Sequence, residues 1–152
     1  MSRRTPTVQG PQGASVSSAA PLDCVQCGRH ASGVSDKINL DQKLAAIAEH
    51  WAPFTVAVLN DYDVRLVKLQ GAFVWHSHPE TDELFLVLSG HLRIEFRQGA
   101  VELGPRELYV VPKGVEHRPV AEKEVQLLLV EPSATVNTGT AGGHRTQPRR
   151  TL

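Results

Sequence analysis

The sequence of 152 residues lacks both a net charge and a long apolar run. Its 16 Lys and Arg residues are balanced by 16 Asp and Glu residues, so the formal net charge is zero. No overall charge would therefore draw the protein to nucleic acid or to an anionic surface. No apolar run approaches the roughly 18 residues needed to span a bilayer. We expect neither a nucleic-acid-binding protein nor a membrane protein.

The amino terminus lacks the apolar core of an export signal. It begins Met-Ser-Arg-Arg, and a stretch rich in Pro, Gly, Ser and Gln follows as far as Ala20. Because this pattern shows no route of export, a cytoplasmic location is the default prediction. Met1 is the only methionine, which leads to the hypothesis that translation of the natural protein begins at Val34. The intact mass of the natural protein would test it.

Cysteine is scarce, and the two present, Cys24 and Cys27, are spaced C-x-x-C. This spacing supplies two of the four ligands of a structural zinc site, or the two thiols of a redox pair. A zinc knuckle needs a second pair, and only His30 lies close; a thioredoxin-like site needs a helix in a βαβ unit. An incidental pair in a linker is the simplest interpretation. Oxidation, or a zinc ion shared between two chains, stays open.

The distribution of apolar residues divides the chain into three parts. Residues 1–35 are rich in small and polar residues, which predicts a disordered amino-terminal tail. Residues 36–132 contain periodic apolar segments and are predicted to form one folded domain. Residues 133–152 are rich in Thr, Gly and Arg, which predicts a flexible carboxy-terminal tail. A chain of this length can bury a core without disulfides.

One helix is predicted at the start of the folded domain. Asn39 is a suitable helix cap, and Gln42 three residues later completes a capping box. Pro53 ends the helical pattern. Between the cap and this proline, apolar residues recur at helical spacing and form one packing face: Leu40, Leu44, Ile47 and Trp51.

From Phe54 onward the pattern changes to short strands separated by turn residues. We predict nine strands: 54–59, 64–70, 72–76, 83–89, 92–97, 100–103, 107–111, 117–120 and 125–130. The last of these is apolar almost throughout, which indicates that both of its faces are covered. Many short strands at regular spacing favour a β-sandwich, a barrel or a jelly roll.

Four potential metal ligands lie on these strands. His76 and His78 are two residues apart, so on a strand both project from one face. Glu83 opens the next strand, on the same face as the apolar Phe85, and His117 follows a Pro-Lys-Gly turn. Three imidazoles and one carboxylate are a donor set that suits a divalent transition metal. We predict that these four residues converge on one metal ion.

The residues around these ligands resemble the two motifs of the cupin superfamily. The segment 71–90, which contains His76, His78 and Glu83, resembles the first motif, and the segment 112–117, which ends at His117, resembles the second. The resemblance extends over residues 40–131 and is greatest to small single-domain cupins described as mannose-6-phosphate isomerase-like. It implies an all-β fold: a small jelly-roll β-barrel, here with one amino-terminal helix, whose metal is bound by these four residues. It also implies a homodimer.

Three positions depart from the cupin pattern, and none of them removes a ligand. Four residues separate Gly71 from the first histidine, where the family pattern usually has five. Arg106 occupies a turn position where the family usually has glycine, which predicts a type I turn or a strained residue. Ala121 stands where the family often has asparagine.

The donor set does not select one metal, since Fe, Mn, Zn, Ni, Co and Cu all accept imidazole and carboxylate ligands. The absence of Cys among the ligands argues against a purely structural zinc site. Open metal positions would admit water, dioxygen or a small-molecule substrate. We therefore predict a small-molecule metalloenzyme, an isomerase or oxygenase acting on a sugar or an organic acid. The alternative is a non-catalytic module that binds a metal or small ligand for storage or sensing.

Four further residues near the motifs are weaker candidates. Phe73 and Trp75 could line a pocket, although packing within the barrel is the simpler interpretation. Tyr109 and Arg118 could supply a proton donor or an anion anchor. Arg118 directly follows His117, however, so on a strand it projects from the opposite face.

Overall fold

A computed structural model describes residues 36–152. The predictions made for the tail 1–35, for the Cys24 and Cys27 pair and for a start at Val34 lie outside the described residues. Within the described range the chain forms one helix and eight strands. Their bounds are α1 Leu40–Ala45, β1 Phe54–Leu59, β2 Tyr62–Ala72, β3 Glu83–Ser89, β4 Leu92–Phe96, β5 Gly99–Leu103, β6 Leu108–Val111, β7 His117–Pro132 and β8 Arg150–Thr151. No helix in this range is long and apolar enough to cross a membrane.

The long strand β7 organises the sheet. It was predicted as two short strands, but it runs unbroken for 16 residues. On one side it pairs antiparallel with β2; on the other side its first residues pair with β4 and its later residues with β3. The strand order is β5-β4-β7-β2-β1-β8, with β3 joining β7 to β6. The strands fold over a shared interior without a closed ladder, and the predicted all-β jelly roll with one small helix is confirmed.

The helix begins where predicted but ends earlier. The Oδ1 atom of Asn39 accepts a hydrogen bond from the backbone N–H of Gln42 at 3.0 Å, and α1 ends at Ala45. The prediction that Trp51 continues the helix is wrong. Its backbone has a φ of 61°, and its N–H donates to the carbonyl of Lys68 in β2 at 2.9 Å. Pairing with the sheet therefore replaces the last helical turns.

Burial alternates along the strands that enclose the interior, as the sequence pattern predicts. In β3, Glu83, Phe85 and Val87 are buried while the residues between them are half-buried. The inward residues of β7 include Leu127 and Leu129, which are also buried. Because side chains alternate across a strand, Glu83 shares the interior with this apolar core.

The segment 72–76 is not a strand, contrary to the prediction. The strand β2 ends at Ala72, and Gly71 just before it has a φ of 83°, a backbone conformation that glycine adopts at no steric cost. Beyond this bend, His76 keeps a single bridge, to His117. The bend turns the first pair of predicted ligands across the end of the interior.

Residues 133–152 lie against the domain. Strand β8 pairs in parallel with β1. The guanidinium of Arg149 donates two hydrogen bonds to the carboxylate of Asp63, at 2.7 and 2.9 Å, and Thr138 is buried. That this segment is flexible stays a prediction.

Candidate metal centre

The four predicted ligands meet inside the fold, although they come from three separate segments. His76 and His78 lie between β2 and β3, Glu83 opens β3 and His117 opens β7. The backbones of His76 and His117 are joined by two hydrogen bonds, of 3.0 and 2.9 Å. One potential ligand atom from each of the four side chains lies within 4.8 Å of the others. Strand pairing therefore brings together residues up to 41 positions apart in the chain.

The carboxylate of Glu83 is at the centre of the group. Its Oε2 atom lies 3.2 Å from the Nε2 atom of His78 and 3.2 Å from that of His117. All four side chains are buried. Despite this closeness, the Nε2 atom of His78 has no hydrogen-bond partner among the described residues. Buried polar groups are costly unless something satisfies them, and a metal ion would satisfy all four at once.

Two of the imidazoles are oriented by backbone carbonyls. The Nδ1 atom of His76 lies 3.1 Å from the carbonyl oxygen of Val74, and that of His117 lies 3.0 Å from the carbonyl oxygen of Val115. A carbonyl oxygen only accepts hydrogen bonds, so each Nδ1 carries the proton. Each Nε2 is then left to bind a metal, which is the usual arrangement around metal-binding histidines.

The electrostatics of the group favour the forms that bind a metal. Burial, followed by the neighbouring His117, lowers the pKa of His76 to about 4, so this imidazole is neutral at pH 7. Burial raises the pKa of Glu83, but the hydrogen bond with His117 and the closeness of His78 outweigh it and hold that pKa below its usual range. A neutral imidazole and an ionised carboxylate are the states that bind metal.

The donor set of the group fits a divalent transition metal. It offers three imidazole nitrogens and one carboxylate, a combination that Mn, Fe, Co, Ni, Cu and Zn accept. The group could therefore hold one metal ion.

A small cavity opens onto His76 and Glu83. The volume open to water-sized molecules is about 40 Å³. Trp51 and Phe73 stack on each other at one wall, with ring centroids 4.9 Å apart. The other apolar lining residues are Pro53, Val67, Leu69, Phe85, Pro119, Leu127 and Leu129. The cavity therefore combines two of the predicted ligands with mainly apolar walls.

The weaker candidate residues differ in whether they line this cavity. Phe73 lines it, whereas Trp75 lies outside, with the guanidinium of Arg97 4.0 Å from its ring centroid. Arg118 lies outside too and donates to Glu95 at 3.0 Å.

Sequence reasoning missed an acidic residue of the cavity, Glu131. Its side chain is 1% exposed, it lines the same cavity as His76 and Glu83, and burial, followed by the charge of Glu83, raises its pKa to about 8. The signal was present in the sequence. Glu131 lies two residues after Leu129, so the same alternation that buries Leu129 points Glu131 inward.

Arg65 holds Glu131 in place. Its Nη1 atom donates a short hydrogen bond to the Oε1 atom of Glu131, and its Nη2 atom donates to the carboxylate of Asp63 at 3.0 Å. The same guanidinium also reaches the carbonyl oxygens of Ser133 and Thr135, each at 3.3 Å. Arg65 is 4% exposed, and planar guanidinium groups with several partners fix the geometry of the groups they bind.

The carboxy-terminal segment contributes to the mouth of the site. Asn137 lines the cavity. The N–H of Thr140 donates to the carbonyl of Ser77, which lies between His76 and His78, at 3.0 Å. The backbone at Gly139 packs so closely that an added Cβ would lie 2.1 Å from the same carbonyl oxygen. This segment is therefore in direct contact with the backbone between two of the predicted ligands.

Comparisons with known proteins agree with this architecture. A family model described as the cupin domain matches residues 64–131. The uncharacterized protein YdbB of Bacillus subtilis is 42% identical over 82 residues, which cover 51% of this chain and 73% of that protein. The crystal structure of a cupin-2 domain containing protein from Shewanella frigidimarina has a TM-score of 0.62 at 46% identity, covering 62% of this chain and 93% of that one. The protein NMB1881 from Neisseria meningitidis has a TM-score of 0.60 at 37% identity, covering 64% of this chain and 100% of that one.

Proposed function

The chain belongs to the cupin family, and on that basis we propose that it is a metal-dependent enzyme acting on a small molecule. The proposed metal ligands are His76, His78, Glu83 and His117. The observation that carries the proposal is their geometry: four buried side chains offer ligand atoms within 4.8 Å of one another. A purely structural role is less favourable, since it would leave this polar group in the interior without a metal.

The chain's own residues define what a bound molecule would meet. When bound, the metal would supply a Lewis acid with open positions for a ligand oxygen. Carbonyl contacts from Val74 and Val115 orient two imidazoles. Phe73 and the other apolar walls exclude water, which strengthens electrostatic interactions inside the cavity. Within the described range, Glu131 and Asn137 are the polar lining groups besides the two predicted ligands.

The cavity favours a small organic acid over a sugar phosphate as the substrate. The volume open to water-sized molecules is about 40 Å³, and a buried water needs roughly 10–15 Å³ of such volume. In the part of the chain that the structure describes, the residues that line the cavity include no Lys or Arg that would pair with a phosphate group. We therefore propose an isomerase or oxygenase acting on a short organic acid. A mannose-6-phosphate isomerase activity would require a larger, positively charged site.

The small volume is also the observation that favours the alternative, a non-catalytic module for metal or small-ligand binding. Glu131 supports the enzyme instead, because a carboxyl group with a raised pKa beside a metal site is suited to moving protons.

A homodimer is part of the proposal, and the outer face of the sheet supports it. Leu86 of β3 is flanked by Leu108 and Leu128 on the neighbouring strands, and these three side chains form an apolar row. Val110 and Leu108 are 41% and 57% exposed. A second copy of the chain packed on this face would cover both. The cytoplasmic location stays a prediction.

The experiment that tests the activity is a screen on protein loaded with one defined metal. Iron- and manganese-loaded protein would be incubated with short hydroxy, keto and dicarboxylic acids, while oxygen uptake and isomer formation are followed. We expect turnover of one of these acids that disappears when the metal is removed with a chelator and returns on reloading. Tight binding of an acid without turnover by any metal form would favour the non-catalytic module.

A further inference from the structure

Glu131 leaves one carboxyl oxygen without a partner beside the proposed metal site. The side chain is 1% exposed and lines the cavity together with His76 and Glu83. Its Oε1 atom accepts a hydrogen bond from Arg65, whereas its Oε2 atom has no hydrogen-bond partner among residues 36–152. Buried polar atoms are almost always paired, so an unpaired one that faces a cavity is available to bind a molecule there.

The position of this oxygen is fixed by the surrounding network. Arg65 is itself held by the carboxylate of Asp63 and by the carbonyl oxygens of Ser133 and Thr135. Rotating Glu131 would break its hydrogen bond with a buried guanidinium. The residue is therefore pre-organised, and Oε2 is the atom it can offer to a molecule in the cavity.

We propose that Glu131 is a second anchor for the molecule that binds at the metal, with its Oε2–H donating a hydrogen bond to a carboxylate oxygen of that molecule. This inference rests on the proposed function, because the other oxygens of the molecule are placed at the metal. The carboxyl group acts as a donor because two carboxylates in contact cannot both be ionised at low cost. Its raised pKa, due first to burial, agrees with this role.

The chemistry of the cavity defines the class of ligand. A short α-hydroxy or α-keto acid has two adjacent oxygens for the metal and a third oxygen for Glu131. Its remaining atoms would lie against apolar walls such as Phe73 and Leu129. The small space open to water-sized molecules, about 40 Å³, favours a short ligand over a long one.

The test measures glycolate binding to cobalt-loaded full-length protein by the change in visible absorption. Four proteins are compared: wild type, Glu131→Gln, Glu131→Met and Asp63→Asn. Glutamine keeps an acceptor for Arg65 and places an N–H₂ donor at the position of Oε2, so we expect affinity close to that of wild type. Methionine removes the donor, and we expect about tenfold weaker binding, the effect of one buried hydrogen bond.

Asp63→Asn is the matched control for a purely structural effect. Asp63 is buried and bonded to the same guanidinium of Arg65, but it does not line the cavity. We expect it to lower stability and to weaken glycolate binding clearly less than Glu131→Met does, because an asparagine at this position still offers an acceptor to Arg65. Equal weakening by Asp63→Asn and Glu131→Met would show that the network alone matters and would overturn the inference.

The remaining outcomes separate this inference from the proposed function. Metal content is expected to be the same in all four proteins, because neither Glu131 nor Asp63 is a proposed ligand. If all four proteins contain metal but Glu131→Met binds glycolate as tightly as wild type, the anchor role of Glu131 is overturned. The same holds if wild type contains metal but binds no glycolate. In both cases the proposed metal site is unaffected. Loss of affinity in Glu131→Gln equal to that in Glu131→Met overturns the donor role. Failure of wild type to take up metal contradicts the proposed function itself.

A second readout does not use affinity. Infrared difference spectra of zinc-loaded protein with and without glycolate, recorded for wild type and Glu131→Gln, isolate the Glu131 carboxyl group. We expect the carbonyl band of a protonated carboxyl group that shifts when glycolate binds. A carboxylate band in its place would contradict the donor role.

Discussion

His76 and His117 are joined by a pair of backbone hydrogen bonds, His76 N–H to His117 C=O at 3.0 Å and His117 N–H to His76 C=O at 2.9 Å. Their imidazole rings lie side by side, with centroids 4.3 Å apart. The first and last proposed ligands in the sequence are thus positioned by the backbone. Because main-chain pairing sets this geometry, the pocket is expected to exist before a metal binds, and the following predictions test what holds it together.

The contact between Gly139 and the loop of His76 and His78 predicts a strong effect of a single methyl group. In Gly139→Ala the new Cβ would lie 2.1 Å from the carbonyl oxygen of Ser77, so the backbone at one of these two residues must shift. We expect a loss of unfolding free energy of about 1–3 kcal/mol and faster metal release, measured by denaturant unfolding and by transfer to a coloured chelator.

Gly142→Ala is the matched control for this variant. Gly142 also has a positive φ, of 56°, but an added Cβ there would meet no atom of residues 36–152 within 4 Å. Its substitution should cost only the backbone strain, about 1 kcal/mol, with metal release unchanged. Equal effects of both variants on metal release would show that the Gly139 contact does not support the site.

The ion pair between Asp63 and Arg149 predicts a pH-dependent stability. The hydrogen bonds from Arg149, the largest influence, outweigh burial and hold the pKa of Asp63 well below its ordinary value of 3.8. A carboxyl group whose pKa is lower in the folded state stabilises it above the unfolded pKa, and this stabilisation is lost as the pH falls. Arg149→Ala should cost about 1 kcal/mol at pH 7, since Arg149 is 46% exposed and water screens the pair.

Urea unfolding of wild type and Arg149→Ala between pH 7 and pH 2 measures this effect. The difference between the two proteins should be constant above about pH 5 and should shrink below pH 3.8. Arg150→Ala is the control, because Arg150 pairs with Glu49, whose side chain is 61% exposed, and a pair of that kind contributes little. A difference that grows on acidification would contradict the assignment to Asp63.

The backbone at Arg106 predicts a stabilising substitution. Arg106 has a φ of 70°, which is one of the two outcomes expected from an Arg at a turn position where cupins usually have Gly. A left-handed conformation costs a residue with a Cβ about 1 kcal/mol. Replacing Arg106 with Gly removes this strain, and part of the resulting gain in stability is offset by the greater freedom of glycine in the unfolded chain. Arg106→Gly should raise the melting temperature, whereas Arg106→Ala should leave it nearly unchanged. A lower melting temperature in the glycine variant would show that the Arg side chain stabilises the turn.

The apolar row on the outer face predicts a dimer that one charge would break. Leu108 is 57% exposed at the edge strand β6, and in a dimer it would be buried against the partner. Leu108→Arg should produce a monomer in sedimentation velocity, since an unpaired buried charge is strongly unfavourable. Val58→Arg, at an equally exposed position of 57% on β1, should leave the mass unchanged. A monomeric wild type, or loss of the dimer in both variants, would contradict this interface.

Alternation along strands made the centre of the site predictable. Glu83 alternates with its neighbours in β3 and the same alternation applies to Glu131 in β7, whereas His76 and His78 lie in the segment between β2 and β3. Glu131 was missed because the last predicted strand ends at Val130, one residue before it. An acidic residue in phase with a buried strand is therefore worth testing as an interior group.

Other parts of the structure depend on contacts that a local pattern does not contain. Helical periodicity extended α1 to Trp51, but the pairing of Trp51 with Lys68 overrides it. The composition of residues 133–152 predicts no regular structure, whereas its contacts are made with distant residues such as Asp63 and Ser77. Partners so far apart in the sequence are specified by the fold.

The central claim is that His76, His78, Glu83 and His117 bind one metal ion. The most direct test is to purify the protein from its own host and to measure its metal content by elemental mass spectrometry. Wild type and His91→Ala, whose histidine is exposed and outside the site, should each contain about one transition metal ion per chain, and His78→Ala should contain almost none while remaining folded. A full complement of metal in His78→Ala, or its absence from wild type even after metal is supplied, would contradict the account.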